Sequence, residues 1–264
     1  MKSIFVSGLL FFMILAFSSC TKSGTHDQDP NNAVIDLDAL TGQTWVYYEY
    51  IKDFNTYDSK LVWKKNRNQN FFDLSLNQVT YNEDGTYIET NEYGLTHKGT
   101  WALRNGTALE VKSSEDSTVY TIAELTSDRF EWSVPGDNYG IMVPKDQVAS
   151  TTDRLELLTS KTWVYAAFFD DYDYIKPTLS WKKNKKNNRE NYSIKQVTFN
   201  TDGTYSEITW DGSTLDGTWT FVNGESKFKV VNSLGTWIST IEVLNENRFE
   251  WSYGSQYAEM VPLR

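Results

Sequence analysis

Residues 40–47 read LTGQTWVY, and residues 158–165 read LTSKTWVY. Three further pairs of motifs recur at the same offset of 118 positions: LVWKKN at 61–66 with LSWKKN at 179–184, DGTY at 84–87 with DGTY at 202–205, and GTW at 99–101 with GTW at 217–219. A fourth pair, RFEWS at 129–133 with RFEWS at 248–252, recurs at an offset of 119. Self-similarity at a fixed period indicates a duplicated structural unit. We therefore interpret the chain as two tandem copies of one domain, copy 1 at residues 39–146 and copy 2 at residues 157–264.

Each copy has the composition of a β domain. Segments rich in Trp, Tyr, Phe, Val and Thr alternate with short runs of Gly, Asn and Asp, which favours strands joined by tight turns. The dipeptides Asp84-Gly85 and Asn105-Gly106 accept the positive φ of hairpin turns. The strands predicted for copy 1 cover residues 43–54, 60–66, 77–82, 86–92, 97–103, 108–113, 117–125, 128–133 and 139–143. We expect an all-β, antiparallel up-and-down meander that closes into a barrel and so removes its edges, with a β-sandwich as the main alternative.

The first 19 residues have the pattern of a secretory signal. Lys2 precedes a run of 14 apolar or small residues, Ile4 to Phe17, which is shorter than the roughly 20 residues of a membrane-spanning helix. Ser18 and Ser19 then lead into Cys20, the only cysteine of the chain. This pattern resembles the lipobox of bacterial lipoproteins, in which the cysteine becomes the first residue and carries acyl chains. An ordinary signal peptide followed by an incidental cysteine is the alternative.

Two polar segments separate these parts. Residues 20–38 are rich in Thr, Ser, Gly, Asn and Asp and are predicted to be a flexible tether behind the lipidated Cys20. Residues 147–156 form the predicted linker between the copies. Thr21 replaces the Asp that retains enteric-type lipoproteins in the inner membrane. We therefore expect an outer-membrane lipoprotein of a Gram-negative cell envelope, on a face that the sequence leaves open.

The combined motifs resemble bacterial lipocalin-like lipoproteins. The resemblance covers both copies and consists of the lipobox, the tether, the LTxxTW opening, the DGTY hairpin, the GTW strand and the late RFEW strand. It implies two lipocalin-like barrels and, in some members, a small apolar ligand. It also implies that a late arginine covers the first-strand tryptophan at one barrel end through a cation–π contact, here Trp45 with Arg129 and Trp163 with Arg248.

Composition limits the chemistry. A formal net charge of −10 argues against nucleic-acid binding, which needs a basic surface. With two histidines, His26 and His97, the chain lacks the side chains for a histidine triad or a zinc site, so no catalytic residue, metal or cofactor is predicted. Glu131 and Glu250 recur in both copies, and alternation along the strand predicts that Glu131 faces water beside Arg129.

The repeated WKK motif is the strongest shared polar motif. One interpretation is a site for an anionic or sugar ligand, formed by Trp63, Lys65, Trp181 and Lys183. The simpler interpretation places the tryptophans in the core and uses the lysines to keep a strand edge soluble. In copy 2 the motif continues into Lys185, Lys186 and Arg189, a basic end on an acidic protein.

The sequence thus predicts a non-catalytic, membrane-anchored binding module for a small apolar molecule or a glycan, with no known protein partner. The alternative is a structural or protein-interaction subunit of an envelope assembly whose barrels are filled. The volume of the barrel interior distinguishes the two. An enzyme would require a buried cluster of carboxylates or tyrosines shared by both copies.

Overall fold

The computed structural model describes residues 35–114, 116–134, 138–146 and 152–264. The predicted signal segment, Cys20 and most of the predicted tether lie outside these residues. Within the first half of the described chain, the elements are helix α1 (Leu37–Thr41) and strands β1 (Thr44–Lys52), β2 (Lys60–Lys64), β3 (Gln78–Tyr81), β4 (Thr86–Thr90), β5 (Thr96–Arg104), β6 (Ala108–Lys112), β7 (Ser117–Thr126), β8 (Arg129–Val134) and β9 (Asn138–Pro144). Within the second half, they are α2 (Arg154–Thr159), β10 (Thr162–Asp170), β11 (Thr178–Lys182), β12 (Gln196–Phe199), β13 (Thr204–Ile208), β14 (Thr214–Val222), β15 (Lys227–Asn232), β16 (Gly235–Leu244), β17 (Phe249–Tyr253) and β18 (Gln256–Pro262).

The strands predicted for copy 1 are confirmed, each within two residues at either end. Gly85 (φ 80°), Asn105 (φ 51°) and Gly106 (φ 76°) have the positive φ expected of the predicted turns. The two short helices were not predicted. Helix α1 and the bridge between Ile35 and Leu125 begin inside the segment interpreted as a tether, and α2 begins inside the predicted linker.

Strands β3 to β9 form an antiparallel meander that β1 closes. The N-terminal part of β1 pairs with β3 through Trp45 opposite Val79, and its full length pairs with β9. Eight strands, β1 and β3–β9, therefore form a closed ring, here called barrel 1. The shorter β2 pairs with the C-terminal part of β1. The closed antiparallel barrel confirms the predicted fold class and excludes the sandwich.

Strands β10 to β18 repeat this arrangement as barrel 2. Trp163 lies opposite Val197 where β10 pairs with β12, and β10 pairs along its length with β18. The strand β11 pairs with the C-terminal part of β10, as β2 does with β1.

In each copy, the LTxxTW motif contains the end of a short helix followed by a tryptophan buried in the barrel. The short helix α1 ends just before β1, and Trp45, fully buried in barrel 1, donates its indole N–H to the Leu40 carbonyl at 3.1 Å. Trp163 makes the same hydrogen bond to Leu158 at 2.9 Å in barrel 2. A buried N–H without an acceptor is costly. The five-residue spacing from Leu to Trp places the leucine carbonyl where it accepts the hydrogen bond of the buried indole N–H.

The glycine of the GTW motif is required by close strand approach. A Cβ on Gly99 would lie 2.0 Å from the Lys112 carbonyl oxygen, and one on Gly217 would lie 2.2 Å from that of Val231. Any side chain there would push β5 from β6, or β14 from β15. The motif therefore reflects backbone packing.

Among the residues that the structure describes, three apolar clusters form the core. Two fill the barrels, around Trp45 and Phe130 in barrel 1 and around Trp163 and Phe249 in barrel 2. The third lies between the copies and combines residues of both, including Ile51 and Leu61 from copy 1. We call this contact region the seam.

Candidate functional site

The seam is built from the outward faces of the strands that close the barrels. Successive side chains on a strand point to opposite faces, so a strand that lines a barrel also presents every second residue to the neighbouring copy. The buried apolar residues of the seam are Tyr48, Ile51, Phe54, Leu61, Tyr139, Ile141 and Val143 of copy 1 with Ala167, Phe169, Leu179 and Tyr257 of copy 2. One β-bridge, Lys60 with Thr178, joins β2 to β11 across the seam.

Four buried charges lie at the centre of the seam. Lys64 Nζ lies 3.1 Å from Glu49 Oε2 and also hydrogen-bonds Glu259. Lys182 Nζ lies 3.0 Å from Glu49 Oε1 and 3.5 Å from Glu259 Oε2. All four side chains are at most 2% exposed. Each lysine thus neutralises both carboxylates, one from each copy.

Two further charged groups flank this centre. On one side, Glu250 accepts hydrogen bonds from the hydroxyls of Tyr48 and Tyr257 and lies 3.6 Å from Arg248 Nη1. The Arg248 guanidinium lies over the Tyr48 ring, 4.1 Å from its centroid, so the contact crosses the seam.

On the other side, Glu131 pairs with Arg129 and accepts a hydrogen bond from the Tyr139 hydroxyl. The eight charged residues of these three groups form the seam cluster: Glu49, Lys64, Arg129, Glu131, Lys182, Arg248, Glu250 and Glu259. The seam cluster therefore contains equal numbers of acidic and basic side chains, four of each.

The pKa values follow from burial and pairing. Burial and the neighbouring Glu259 raise the pKa of Glu49 to about 7, against the attraction of both lysines. Burial disfavours the charged form of Glu259 as well, yet Lys64 and Lys182 hold its pKa well below the ordinary value. Burial and Glu250 raise the pKa of Tyr257 well above its ordinary value, so this hydroxyl remains a neutral hydrogen-bond donor.

Two reciprocal loop contacts frame the seam. Arg67, which follows β2, donates to the Tyr172 carbonyl at 2.8 Å, and Lys185, which follows β11, donates to the Thr56 carbonyl at 2.9 Å. Arg189 Nε donates to the Tyr57 carbonyl at 3.1 Å. The predicted basic end of copy 2 therefore docks against copy 1. The matching contacts from both sides resemble the reciprocal interface of a two-fold dimer.

A groove of about 380 Å³ opens at one edge of the seam. Its wall from copy 1 is the loop after β2, and its wall from copy 2 comes from the loop after β10 and from strands β16 and β17. The lining residues are Tyr48, Lys65, Asn66, Arg67, Asn68, Gln69, Tyr172, Asp173, Glu242, Val243, Ser252, Gly254 and Tyr257. Tyr48 and Tyr257 connect the groove to Glu250 of the seam cluster.

The interior of barrel 1 is nearly full. A cavity of about 20 Å³ remains among Tyr47, Glu89, Tyr120, Trp132 and their neighbours. Since one water needs roughly 10–15 Å³, the cavity has room for a group of about that size.

The predicted ligand residues of the WKK motif do not form one site. Trp63 and Trp181 are buried, as the simpler interpretation expects, and Trp181 packs into the core of barrel 2. Lys65 lines the groove, whereas Lys183 is exposed. Lys64 and Lys182, the middle residues of the two motifs, lie in the seam cluster. These two lysines therefore do not keep a strand edge soluble, as the simpler interpretation expected.

The structure does not bring the predicted arginine–tryptophan pairs into contact. Trp45 points into barrel 1 and packs against Phe130 with ring centroids 5.6 Å apart. Arg129, next to Phe130 on β8, faces the seam, because neighbours on a strand alternate. In copy 2, Arg248 lies over Tyr48 while Trp163 packs against Phe249.

The prediction that Glu131 faces water is wrong. It is 8% exposed, and its counterpart Glu250 is fully buried. Alternation located the correct face of β8, but the second copy covers that face.

Sequence reasoning missed two of the four carboxylates of the seam cluster, Glu49 and Glu259. Glu49 stands where copy 2 has Ala167, and Glu259 stands where copy 1 has Ile141. Each copy therefore supplies one glutamate that the other lacks. A comparison of the copies for places where an apolar residue becomes charged would have marked both positions.

Within the described residues, no group of three or more His, Cys, Asp and Glu side chains is arranged to hold a metal, and no helix has the length and apolar character that crossing a bilayer requires. No family model and no curated protein matches the chain. Among solved structures, it is similar to a lipocalin-like protein from Bacteroides uniformis at 12% sequence identity and a TM-score of 0.30, with 40% of this chain and 99% of that chain covered. The strand pairings themselves establish the closed barrel.

Proposed function

We propose that this protein is a non-catalytic binding module whose ligand is a small glycan held in the groove at the seam. The observation that carries the proposal is the contrast in volume between the two cavities. The groove encloses about 380 Å³, within the range of small-molecule sites, whereas the cavity in barrel 1 encloses about 20 Å³. A drug-sized apolar ligand therefore has no room inside barrel 1.

The lining of the groove favours an uncharged polar ligand. It carries two cationic and two anionic side chains, Lys65 and Arg67 with Asp173 and Glu242, so neither sign of charge dominates. The amides of Asn66, Asn68 and Gln69 add both donors and acceptors. Such a mixture matches the alternating hydroxyl groups of a sugar better than an anion or a hydrocarbon.

Catalysis is disfavoured although carboxylates and tyrosines of both copies do cluster. The four carboxylates of the seam cluster are balanced by four buried cations. Tyr48 and Tyr257, which line the groove, have raised pKa values and donate to Glu250. Burial also raises the pKa of Tyr172, the third tyrosine of the lining. Neither group offers a free base or nucleophile to a molecule in the groove.

The glycan proposal is tested with the full-length chain in detergent against a panel of neutral oligosaccharides by isothermal titration calorimetry. Gln69→Ala and Asp173→Ala are each expected to weaken binding about tenfold, because each removes hydrogen bonds to the ligand. Lys186→Ala is the matched control, since Lys186 occupies in copy 2 the position of Asn68 and lies outside the groove lining. Binding that is unchanged in both groove variants would overturn the assignment of the site.

A structural subunit without a ligand is the second candidate function. The nearly filled barrel 1 favours it, because a filled barrel serves as a rigid scaffold. If no glycan on the panel binds, this candidate replaces the first.

We further propose that acyl chains on Cys20 anchor the protein to the outer membrane. The support is the lipobox-like sequence ending in Cys20. Labelling of cells with a palmitate analogue is expected to mark the wild-type chain and not Cys20→Ser. Equal labelling of the two chains would contradict the proposal.

A further inference from the structure

Barrel 2 holds an ammonium group of its own chain among aromatic rings. Lys195, just before β12, places Nζ 3.2 Å from Glu207 Oε1. The same Nζ lies 4.9 Å from the ring centroid of Tyr165 and 4.7 Å from that of Tyr192. A carboxylate and two aromatic rings around one cation form a site that combines an ion pair with cation–π attraction.

Barrel 1 keeps the anionic part of this site and lacks the cation. At the offset of 118, Glu89 corresponds to Glu207 and Tyr47 to Tyr165, but Asn77 stands in place of Lys195. The backbone matches: Asn77 N–H donates to the Leu74 carbonyl as Lys195 N–H donates to that of Tyr192.

The exchange leaves the Glu89 carboxylate without the ammonium partner that Glu207 has in barrel 2. Within the described part of the chain, the Glu89 carboxylate has no ion pair or hydrogen bond, although burial and Glu92 raise its pKa and His97 on the adjacent strand lowers it. Asn77 is 7% exposed, and its Oδ1 has no hydrogen-bond partner among the described residues. A partly buried carboxylate without an ion pair, next to the counterpart of a ring that Lys195 faces in barrel 2, is a position where a cation would be stabilised.

The space in barrel 1 fits such a cation. The cavity of about 20 Å³ is lined by the Glu89 carboxylate and by the aromatic side chains of Tyr47, Tyr120 and Trp132. An ammonium head is about the size of a water molecule, which is the group that such a volume admits. Tryptophan and tyrosine offer the electron-rich faces that cations prefer.

We propose that the cavity in barrel 1 binds a primary ammonium group on an unbranched alkyl chain, with Glu89 as its counter-ion and Tyr47, Tyr120 and Trp132 around it. Barrel 2 supplies this group itself through Lys195. The site is separate from the seam groove and does not depend on the glycan proposal.

The test uses n-butylamine as the probe and n-butanol as its uncharged counterpart, titrated into the full-length chain at low salt. We expect one equivalent of n-butylamine to bind and n-butanol not to bind. Glu89→Gln should weaken binding at least tenfold, while the matched variant Glu207→Gln in barrel 2 should leave that binding unchanged. Binding of n-butanol equal to that of n-butylamine, or no binding of either, would overturn the proposal.

Exchanging the residues between the copies gives a second, independent readout. Asn77→Lys should abolish n-butylamine binding, because the new side chain occupies the site as Lys195 does in barrel 2. Lys195→Asn should raise the stoichiometry from one to two per chain. Circular dichroism verifies that each variant is folded, and an unchanged stoichiometry in both folded variants would contradict the proposal.

A pair of short peptides distinguishes the two sources of such a group. A glycine-flanked lysine peptide that binds more tightly than n-butylamine assigns the ligand to a protein partner, and the acetyl-lysine form should then fail to bind. Tighter binding of n-butylamine assigns the site to free alkylamines. Equal binding of the lysine and acetyl-lysine peptides would refute recognition of the charge.

Discussion

Glu49 is the residue at which the seam depends most on pH. It is fully buried and contacts Glu259, so two carboxylates face each other between two lysines. Its pKa is raised from 4.5 to about 7. Because the folded state holds this proton more tightly than the unfolded state, ionisation of Glu49 lowers the free energy of unfolding as the pH rises from about 4.5 to about 7. Glu259 has a lowered pKa, so its contribution to the free energy of unfolding is lost instead as the pH falls below about 4.5.

Glu49→Gln removes this titration. Wild type should lose up to about 3 kcal/mol in the free energy of unfolding through this titration as the pH rises from 4.5 to 7, and the variant should not, because an amide carries no charge to desolvate. The difference in the free energy of unfolding between variant and wild type should therefore shift in favour of the variant by that amount over this range. Urea unfolding at a series of pH values measures the difference. Glu83→Gln, at an exposed turn, is the control. A difference between Glu49→Gln and wild type that does not change with pH would contradict the assignment.

At the scale of elements, the β8–β9 hairpin shows how one residue makes the two barrels differ. Gly140 pairs with Trp132, and a Cβ on Gly140 would lie 2.3 Å from the tryptophan ring. In barrel 2, Ala258 occupies this position opposite Trp251, which is the more exposed tryptophan of the two. The glycine therefore lets Trp132 lie flat over β9 and line the cavity of barrel 1.

Gly140→Ala is expected to destabilise the protein by about 1–3 kcal/mol, because the methyl group must displace a buried ring. Thermal and urea unfolding measure the loss. Gly42→Ala is the control: its Cβ would meet the Asp38 carbonyl oxygen at an ordinary 3.4 Å, so a change within about 0.5 kcal/mol is expected. Equal effects of the two substitutions would show that ring contact is not the cause.

At the scale of the whole molecule, the seam joins two separately closed barrels into one structure. Its apolar cluster and its balanced charges both combine residues of the two copies. Buried charges stabilise only while they remain paired, since an unpaired ion in the interior is costly. We therefore expect the two barrels to unfold together in a single transition.

Lys64→Met leaves Glu49, Glu250 and Glu259 with one cation fewer and should cost about 3–5 kcal/mol. Differential scanning calorimetry is expected to resolve two transitions in this variant in place of one. Adding Glu259→Ile, which introduces the residue type of Ile141, restores the charge balance and should recover most of the loss. Lys65→Met is the control for the same substitution on the neighbouring, partly exposed residue. A single unchanged transition in Lys64→Met would refute coupling through the seam.

The sequence by itself predicted the repeat, the positions of the strands in copy 1 and an antiparallel meander, because alternation, turn residues and repeated motifs are local signals. The sequence favoured a barrel over a sandwich, a choice that the pairing of β1 with both β3 and β9 settled. It also placed Glu131 on the outer face of β8. Only the tertiary structure decided that this face is covered, since burial there depends on a second copy that no local pattern reports. The same reason explains why Lys64, Glu49 and Glu259 were missed: besides the pair of Lys64 with Glu49 within copy 1, each of them pairs with a residue of the other copy, and that pairing follows from how two closed barrels contact each other.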